Sequence, residues 1–438
     1  MYGSVQVSRR SLDEHRLYVG DEIIDTLRSL ALPLKGARIL NLSISPFGTG
    51  VSDLLHSLVP LLKDLGLDVE WQIVACNAQF ASLSRLLYDA LCGRNVDWTS
   101  AISKDWLRYN RSIAQLFDQQ YDLVVLHDPQ LAGLPAAIPN HKAKAPHWVW
   151  HCHLDLRNAL PEAWFTLFQS LQACDLCVFP DHAFAPQGLE GVATLVIPPA
   201  IDPTAARNVE LPGISARQLL GQHGIDPDRP LLVQAGPLDP AFDPTGAVDV
   251  YRQVKAHRAD VQLLLVHTLS ENSIEAWARY ERVARYTAGD RDAQVLVGQG
   301  DNGQLVVNAA LHQASVVIQR SVPAGFAIPV WEAQWKGRPV VVGTRGGLAS
   351  QIIDCATGYV AGYDASFVKA ALELIVNQDR ASRLGKEGRH LVRHRYLITR
   401  FLADELRLIQ ALLGNDHFSI GEQPPPIAEN TAQISLGS

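Results

Sequence analysis

One stretch of the chain decides its fold: Ser321-Val-Pro-Ala-Gly-Phe-Ala-Ile-Pro-Val-Trp-Glu-Ala-Gln-Trp-Lys-Gly337. Apolar residues at 316–318 predict a strand before it, Gly325 breaks the backbone, and residues 331–336 predict a short helix. In a parallel sheet, such a corner lies where the carboxyl ends of the strands deliver ligand-binding groups. Glu332 is the one carboxylate of this corner, so the sequence predicts a ligand site around it. Because Glu332 lies early in a helix, a role in offsetting the helix dipole is the alternative.

Outward from this corner, apolar strands alternate with helices along most of the chain. A first series runs from a strand at 37–45 to one at 195–197, and a second runs from 230–235 to 339–343. A connection with Pro, Gly and Asp lies between them, near 203–230. Continuous apolar strands that alternate with helices are typical of parallel sheets covered on both faces. The sequence therefore predicts an α/β protein with two doubly wound, Rossmann-like domains that face each other across a cleft.

The same pattern divides the chain into five segments. An N-terminal extension occupies 1–36, the first Rossmann-like domain 37–205, and the second 206–397. A helix at 398–413 is expected to cross back to the first domain. The last segment, 414–438, contains three consecutive prolines and many small polar residues, a composition typical of disorder.

Composition excludes several classes of partner. The chain has 438 residues, enough for two full cores, and a formal net charge of −7, which disfavours nucleic acid and anionic membranes as main partners. No apolar run approaches the roughly 18 residues of a membrane-spanning helix. Residues 1–20 are too polar for a signal peptide. We therefore expect a cytoplasmic protein, and the six cysteines, mostly in apolar segments, are not expected to form disulfides.

The glycines of Gly48-Thr-Gly50 lie between a predicted strand and a predicted helix. Glycine at such a position lets a ligand approach the backbone, and the start of a helix favours anions. A plain tight turn explains the same two glycines. The sequence leaves both explanations open.

Histidines and carboxylates follow two predicted strands of the first domain. His127 and Asp128 end one strand, and His151, His153 and Asp155 end the next. A metal pair, a substrate-binding histidine and histidines that cap strand ends are the three explanations. The metal is the least favoured, because no carboxylate or third histidine follows at obvious ligand spacing. No metal is therefore predicted, and His153 and Asp155 are expected to line the cleft.

Two loops of the second domain differ in charge. Residues 235–246, which follow the first strand of that domain, include no basic residue. The loop Thr344-Arg-Gly-Gly347 follows a later strand, and its glycine amides with the charge of Arg345 suit an anion. A surface turn is the alternative for this second loop.

Several segments together resemble a known family over about residues 35–413. They are Leu54-Leu-His-Ser-Leu-Val-Pro-Leu-Leu62, His127-Asp-Pro-Gln130, Trp150-His-Cys-His-Leu-Asp155, Ile197-Pro-Pro-Ala-Ile-Asp-Pro203, Gln262-Leu-Leu-Leu-Val266 and Glu332-Ala-Gln-Trp-Lys-Gly-Arg-Pro339. On these segments the chain resembles the retaining GT-B glycosyltransferases. Within that group it is similar to the trehalose synthases that join a nucleotide-activated glucose to free glucose, and to the related retaining trehalose phosphorylases.

The resemblance implies roles for several residues. Glu332 matches a glutamate that binds the nucleotide ribose, and His153 matches the acceptor-side histidine of the family. Gly48 and Gly50 match a three-glycine loop whose middle position is Thr49 here. The donor would lie mainly on the second domain, and the acceptor on the first.

The chain departs from the family pattern where the chemistry takes place. The pattern places an Arg and a Lys at the positions of Pro237 and Phe242, and a donor-sugar glutamate at the position of Ala324. The Gly325-Phe326 turn remains, and His151 stands where the family has an Arg. Losing one preorganised transition-state group costs on the order of 10²–10³ in rate, so these departures bear directly on activity.

Two functions follow from the matches and the departures. The matches imply retaining transfer of glucose from a nucleotide sugar such as UDP- or ADP-glucose to glucose or another small acceptor, without a further cofactor. The predicted site residues are His153 and Asp155 for catalysis, and Gly48, Gly50, Gly325, Phe326, Glu332 and Arg345 for the donor. The departures favour a degenerate GT-B protein that binds a sugar or a partner subunit as a regulator or scaffold. A homodimer remains open, because related proteins form dimers.

Overall fold

Residues 2–74, 77–186, 189, 191–268, 274–298, 300–322 and 325–414 are described by the computed structural model of the chain. The strands are β1 (Tyr2–Ser4), β2 (Arg38–Ser43), β3 (Asp68–Val74), β4 (Leu123–Leu126), β5 (His147–His151), β6 (Leu176–Phe179), β7 (Ala193–Val196), β8 (Leu231–Ala235), β9 (Gln262–Thr268), β10 (Ala293–Gly298), β11 (Val316–Gln319), β12 (Val340–Val342) and β13 (Tyr359–Val360). The α-helices are α1 (Arg16–Val19), α2 (Asp21–Ala31), α3 (Gly50–Asp64), α4 (Ala78–Leu91), α5 (Ser100–Ala114), α6 (Leu134–Ala137), α7 (His141–Lys144), α8 (Pro161–Leu171), α9 (Gly213–Gly221), α10 (Pro244–His257), α11 (Ile274–Thr287), α12 (Gly300–Gln313), α13 (Ile328–Trp335), α14 (Asp364–Val376), α15 (Gln378–Arg395) and α16 (Ile398–Leu413).

The first sheet has seven strands in the order β1-β3-β2-β4-β5-β6-β7. β1 runs antiparallel to β3, and the other pairs are parallel. Two apolar clusters pack on this sheet, one containing Trp106 and Trp148, the other containing Leu58 and Phe401. Because both faces are covered, the central strands β4 and β6 are buried at every residue.

The second sheet has six parallel strands in the order β10-β9-β8-β11-β12-β13. It also carries two apolar clusters, one containing Tyr251 and Phe367, the other Val307 and Val330. Two parallel sheets, each covered on both faces, confirm the predicted α/β architecture of two doubly wound domains.

The chain crosses between the two halves at Ile201 and again at Leu397. These crossings hydrogen-bond to each other: Ile201 N donates to the Tyr396 carbonyl at 2.8 Å, and Ile398 N donates to the Ile201 carbonyl at 2.9 Å. A small apolar cluster that includes both residues, Trp331 and Trp335 packs around them. After the second crossing, α16 packs against α2 and α3.

Most predicted elements have the expected type, and some short ones were missed. The helix 398–413 has the predicted bounds. β1, β13 and α9 were not predicted, and α9 lies inside the connection near 203–230. The segment after Gly347 forms a 3-10 turn at Ala349–Gln351.

The described residues also bear on membrane and redox expectations. No helix among them has the length and apolar character that crossing a bilayer requires. The five cysteines within the described ranges are free thiols: Cys92, Cys152, Cys174, Cys177 and Cys355. The tail predicted over 414–438 lies outside the described residues, apart from Gly414.

Candidate functional site

Strand pairing brings two of the predicted histidines side by side. Leu126 of β4 is paired with Trp150 of β5, so the next residues, His127 and His151, end adjacent parallel strands. His153 follows two residues after His151, and its ring stacks on that of His151 at a centroid distance of 4.5 Å. The carboxyl edge of the first sheet therefore carries three histidines in contact.

These three rings form a defined cluster, which we call the histidine cluster (His127, His151 and His153). One ring nitrogen from each lies within 4.8 Å of the others. His127 Nδ1 is 3.2 Å from His153 Nε2, and His127 Nε2 donates to Asn41 Oδ1 at 2.9 Å. Spacing along the sequence did not indicate this third histidine, because it comes from the neighbouring strand.

Burial keeps the histidine cluster neutral. It lowers the pKa of His127 and of His151 well below the usual range, with the neighbouring histidines adding to the effect. Burial lowers the pKa of His153 to about 4. At neutral pH each ring therefore has one nitrogen with a free lone pair.

The carboxylate of Asp155, the second predicted catalytic residue, accepts hydrogen bonds from Arg157. Arg157 Nε donates to Asp155 Oδ1 at 2.9 Å, and an Arg157 terminal nitrogen donates to Oδ2 at 2.6 Å. The same guanidinium group approaches the Gly346 carbonyl of the second half at 3.4 Å. Asp155 thus orients an arginine that connects the two sides of the cleft.

The loop at Gly48–Gly50 is exposed, as a ligand-binding loop requires. Gly48 has a φ of 78°, a conformation that favours glycine. Thr49 caps α3 by accepting a hydrogen bond from Ser52 N, and among the described residues no atom outside the adjoining backbone lies within 4 Å of the position of a Gly50 Cβ. The start of this 15-residue helix is therefore open to an approaching group.

The predicted donor corner touches the first domain. Gly325 has a φ of 85°, and a Cβ there would lie 3.0 Å from the His153 carbonyl oxygen. Phe326 packs on Phe184 of the first domain at 4.9 Å between ring centroids. The predicted donor-side residues Gly325 and Phe326 thus adjoin the predicted acceptor-side residue His153.

Glu332 is buried in α13 and has a partner that the sequence did not indicate. Arg207 donates to its two carboxylate oxygens, from Nε and from a terminal nitrogen, at 2.8 Å each. Burial lowers the pKa of Arg207, but the charges of Glu332 and of Asp53 in α3 outweigh it and raise that pKa. Asp53, in the first turn of α3, therefore lies close enough to Arg207 of the donor corner to interact with its charge.

The loop that lacks the expected cations has cations around it. Phe242 packs into an apolar cluster of the second domain, and Pro237 is exposed. Asp239, between them, faces Arg94 at 3.5 Å, Arg85 at 3.6 Å and Arg279 at 4.0 Å. Arg85 and Arg94 belong to the first domain and also pair with Asp89. Three guanidinium groups thus face two carboxylates, and we call this set the arginine cluster (Arg85, Arg94 and Arg279).

Arg320 and Arg345 are two further candidate cations of the second domain, and their surroundings differ. Arg320 is engaged by Asp243 at 2.8 Å and Asp364 at 2.5 Å. Arg345 is exposed and makes no ion pair within the described ranges. The Gly347 amide beside it donates to the Gly325 carbonyl at 2.9 Å, so this amide is not free to bind an anion. Ala324, the predicted gap in the donor-sugar contacts, lies outside the described residues.

Comparison with known protein families gives two matches that follow one another along the chain. Residues 41–186 match the family of the trehalose synthase N-terminal domain. Residues 216–391 match the group 1 glycosyl transferases. Between them, the two families cover both halves of the cleft.

Individual proteins are similar over nearly the whole chain. A trehalose synthase of Rubrobacter xylanophilus is 34% identical over 417 residues, which cover 94% of this chain and 100% of that protein. A trehalose synthase of Thermococcus litoralis is 31% identical over 404 residues, which cover 92% and 97%.

Solved structures show a similar fold at low identity. A UDP-forming α,α-trehalose-phosphate synthase of Burkholderia xenovorans, in complex with glucose-6-phosphate, has a TM-score of 0.68 and 13% identity. The similarity covers 85% of this chain and 100% of that one. It supports the GT-B architecture of two facing Rossmann-like domains.

Proposed function

The chain belongs to the trehalose synthase family of GT-B glycosyltransferases, and from this premise we propose that it transfers glucose from a nucleotide sugar to a small acceptor sugar with retention. Glucose is the proposed acceptor, and UDP- or ADP-glucose the proposed donor. The observation that carries the proposal is the contact between the Gly325 turn and the His153 carbonyl. Transfer between two bound sugars requires such closeness of the donor and acceptor sides.

The arginine cluster supports this function in spite of the substituted loop. A retaining transfer of this kind depends on fixed positive charge near the departing diphosphate. Arg85, Arg94 and Arg279 leave one positive charge in excess over Asp89 and Asp239, beside the loop in which the family pattern has its Arg and Lys. In our proposal these guanidinium groups do the work of the residues replaced by Pro237 and Phe242.

Other residues of the site have positioning roles in the proposal. Glu332, held by Arg207, offers its carboxylate to the ribose hydroxyls of the donor. His153 contacts the sugars, and Asp155 acts through Arg157 on the approach of the two domains. The open Gly48–Gly50 loop lies at the start of α3, whose dipole favours a phosphate.

Calorimetric titration with UDP-, ADP- and GDP-glucose tests the proposal. We expect heat of binding with at least one donor, followed by glucose consumption and disaccharide release when glucose is added. His153→Ala should keep the donor binding and lose turnover. A folded sample without heat for any donor would overturn the transferase and leave the degenerate, regulatory function.

A further inference from the structure

We propose that the histidine cluster binds one transition-metal ion, with Zn²⁺ as the best-fitting metal. The proposal shares His153 with the site of the proposed glycosyl transfer, and its test is separate because metal binding is measured in the absence of any sugar. His127 and His151 are each 2% exposed, and His153 is partly exposed. Three imidazoles from two adjacent strand ends thus converge where one side remains accessible.

The spacing of the ring nitrogens suits a shared ion. Zn²⁺ binds imidazole nitrogens at about 2.0–2.1 Å, which places two such nitrogens about 3.3 Å apart in a tetrahedral site. His127 Nδ1 and His153 Nε2 are 3.2 Å apart, and no pair in the cluster exceeds 4.8 Å. The widest pair has to close by at most about 1.5 Å, the difference between 4.8 Å and about 3.3 Å, for the three nitrogens to share one ion.

An outer hydrogen bond already orients one of the three rings, and a second ring has a carboxyl oxygen beside it. His127 donates Nε2–H to Asn41 Oδ1, which leaves its Nδ1 lone pair directed toward His153. His151 Nδ1 lies 3.4 Å from Glu405 Oε1, which leaves its Nε2 as the nitrogen available to an ion. Metal-bound histidines usually direct their second nitrogen to an amide or carboxylate oxygen in this way.

Glu405 belongs to the surroundings of the histidine cluster. Its side chain is buried at 5% exposure in α16, and its Oε1 has no hydrogen-bond partner among the described residues. This oxygen lies 3.4 Å from His151 Nδ1, so a polar group is already present behind the His151 ring.

The ligand set identifies the class of metal. Neutral imidazoles suit Zn²⁺ and neighbouring ions such as Co²⁺ and Ni²⁺, whereas Mg²⁺ and Ca²⁺ require oxygen ligands. Binding to His153 Nε2 requires its proton to move to Nδ1, so the ring stays neutral and no co-reactant is needed. A water molecule is the usual fourth ligand of a site with three histidines.

The experiment must separate this site from a surface pair. His390 and His394 lie one turn apart on α15 with ring centroids 4.3 Å apart, a spacing that also binds metal ions. Full-length His394→Ala protein, freed of metal with a chelator, is therefore titrated with Co²⁺ and followed by visible absorption and calorimetry. We expect one Co²⁺ per chain, displaced by Zn²⁺, and a rise in melting temperature with Zn²⁺.

Second substitutions in this background locate the ion. His153→Gln, at the partly exposed position, should weaken Co²⁺ binding at least 100-fold. Glu405→Gln should weaken it about 10-fold to 100-fold, as expected for a positioning residue. If His394→Ala protein neither binds Co²⁺ nor gains melting temperature with Zn²⁺, the proposal is wrong whether or not the second variants fold. Unchanged affinity in folded His153→Gln protein would overturn it as well.

Discussion

At the scale of single residues, Glu332 and Arg207 form a buried, two-bonded ion pair in the donor corner. Glu332→Gln leaves the buried Arg207 guanidinium without its counter-charge. Removing one partner of a buried ion pair costs about 3–5 kcal/mol, so we expect a loss of about 3 kcal/mol in the free energy of unfolding. Urea denaturation followed by circular dichroism measures this loss.

A surface pair provides the matched control for Glu332→Gln. Arg389 and Glu210 approach at 3.2 Å, with side chains 47% and 73% exposed. Exposed pairs contribute about 0–1 kcal/mol, so Glu210→Gln should shift the urea midpoint little. Equal shifts for the two variants would show that Arg207 finds another partner when Glu332 is neutral.

Arg94 tests whether the arginine cluster replaces the missing loop cations. It combines a 2.7 Å contact to Asp89 with a 3.5 Å approach to Asp239, so its guanidinium is fixed beside the loop. Losing one such preorganised charge reduces a rate by on the order of 10²-fold. We expect Arg94→Ala to lower kcat/KM for the nucleotide sugar by that factor in a glucose-consumption assay.

The control for Arg94 is an arginine far from the cleft. Arg108 pairs with Asp105 on the exposed side of α5. Arg108→Ala should keep the full rate. Equal activity of the Arg94→Ala and Arg108→Ala proteins would contradict the proposed role of the arginine cluster.

At the scale of elements, the contact between α13 and α15 holds the donor corner in place. A Cβ on Gly385 of α15 would overlap the backbone carbonyl of Gly337, which directly follows α13. Backbone cannot move aside as a flexible side chain can, and overpacking typically costs about 1–3 kcal/mol. Gly385→Ala should therefore lower the free energy of unfolding by about 3 kcal/mol, measured by urea denaturation.

A second glycine separates this contact from a general effect of helical glycines. Gly221, the last residue of α9, has no atom within 4 Å of its Cβ position. Alanine is favoured over glycine in helices by about 0.5–1 kcal/mol, so Gly221→Ala should stabilise the protein slightly. The two variants should shift the urea midpoint in opposite directions, and shifts of the same sign would contradict the close approach of α13 and α15.

The elements were largely predictable, because long apolar strands and amphipathic helices differ in the period of their apolar residues. The edge strand Tyr2–Ser4 was missed because three residues carry too little periodicity. Helix α9 was missed because glycines at both ends resemble a linker. The same periodicity shows where strands end, so Gly325 and His153 could be assigned to a turn and to a strand end.

The partners of the site residues could not be predicted, because tertiary folding alone brings them together. Arg207 lies 125 residues from Glu332 in sequence, and Arg94 reaches Asp239 from the other domain. His127 joins His151 through the register of β4 and β5. Spacing along the sequence therefore did not reveal that three histidines come together, or that arginines surround the loop with Pro237 and Phe242.

At the scale of the whole molecule, three segments meet where the two domains are joined. The crossing at Ile201 is bonded to the crossing at Leu397, and the N-terminal segment reaches the same place through Arg10 and His15. The carboxylate of Asp202 contacts both of these side chains and also accepts a hydrogen bond from Thr204 N at 2.8 Å. The N-terminal extension is thus tied to the junction between the domains, where cleft closure would require movement.

Asp202 makes this junction sensitive to acid. Burial raises the pKa of Asp202, but the hydrogen bond from His15 and the charge of Arg10 outweigh it and hold that pKa well below the usual value of 3.8. A carboxylate whose pKa is depressed by folding adds stability above its unfolded pKa of about 4, and that stability is lost as the pH falls toward the folded value.

Comparing wild-type protein with Asp202→Asn isolates this effect from the other carboxylates. Asparagine keeps the acceptor for Thr204 N and removes the charge, so the difference in free energy of unfolding should be about 2 kcal/mol at pH 7. Between about pH 4 and pH 2 the difference should shrink, because the unfolded wild-type chain binds a proton at Asp202 that the folded protein does not bind, and this favours unfolding. Urea denaturation at pH 7, 4 and 3 measures it. A difference that stays constant across these pH values would mean that the junction depends on the shape of the side chain and not on its charge.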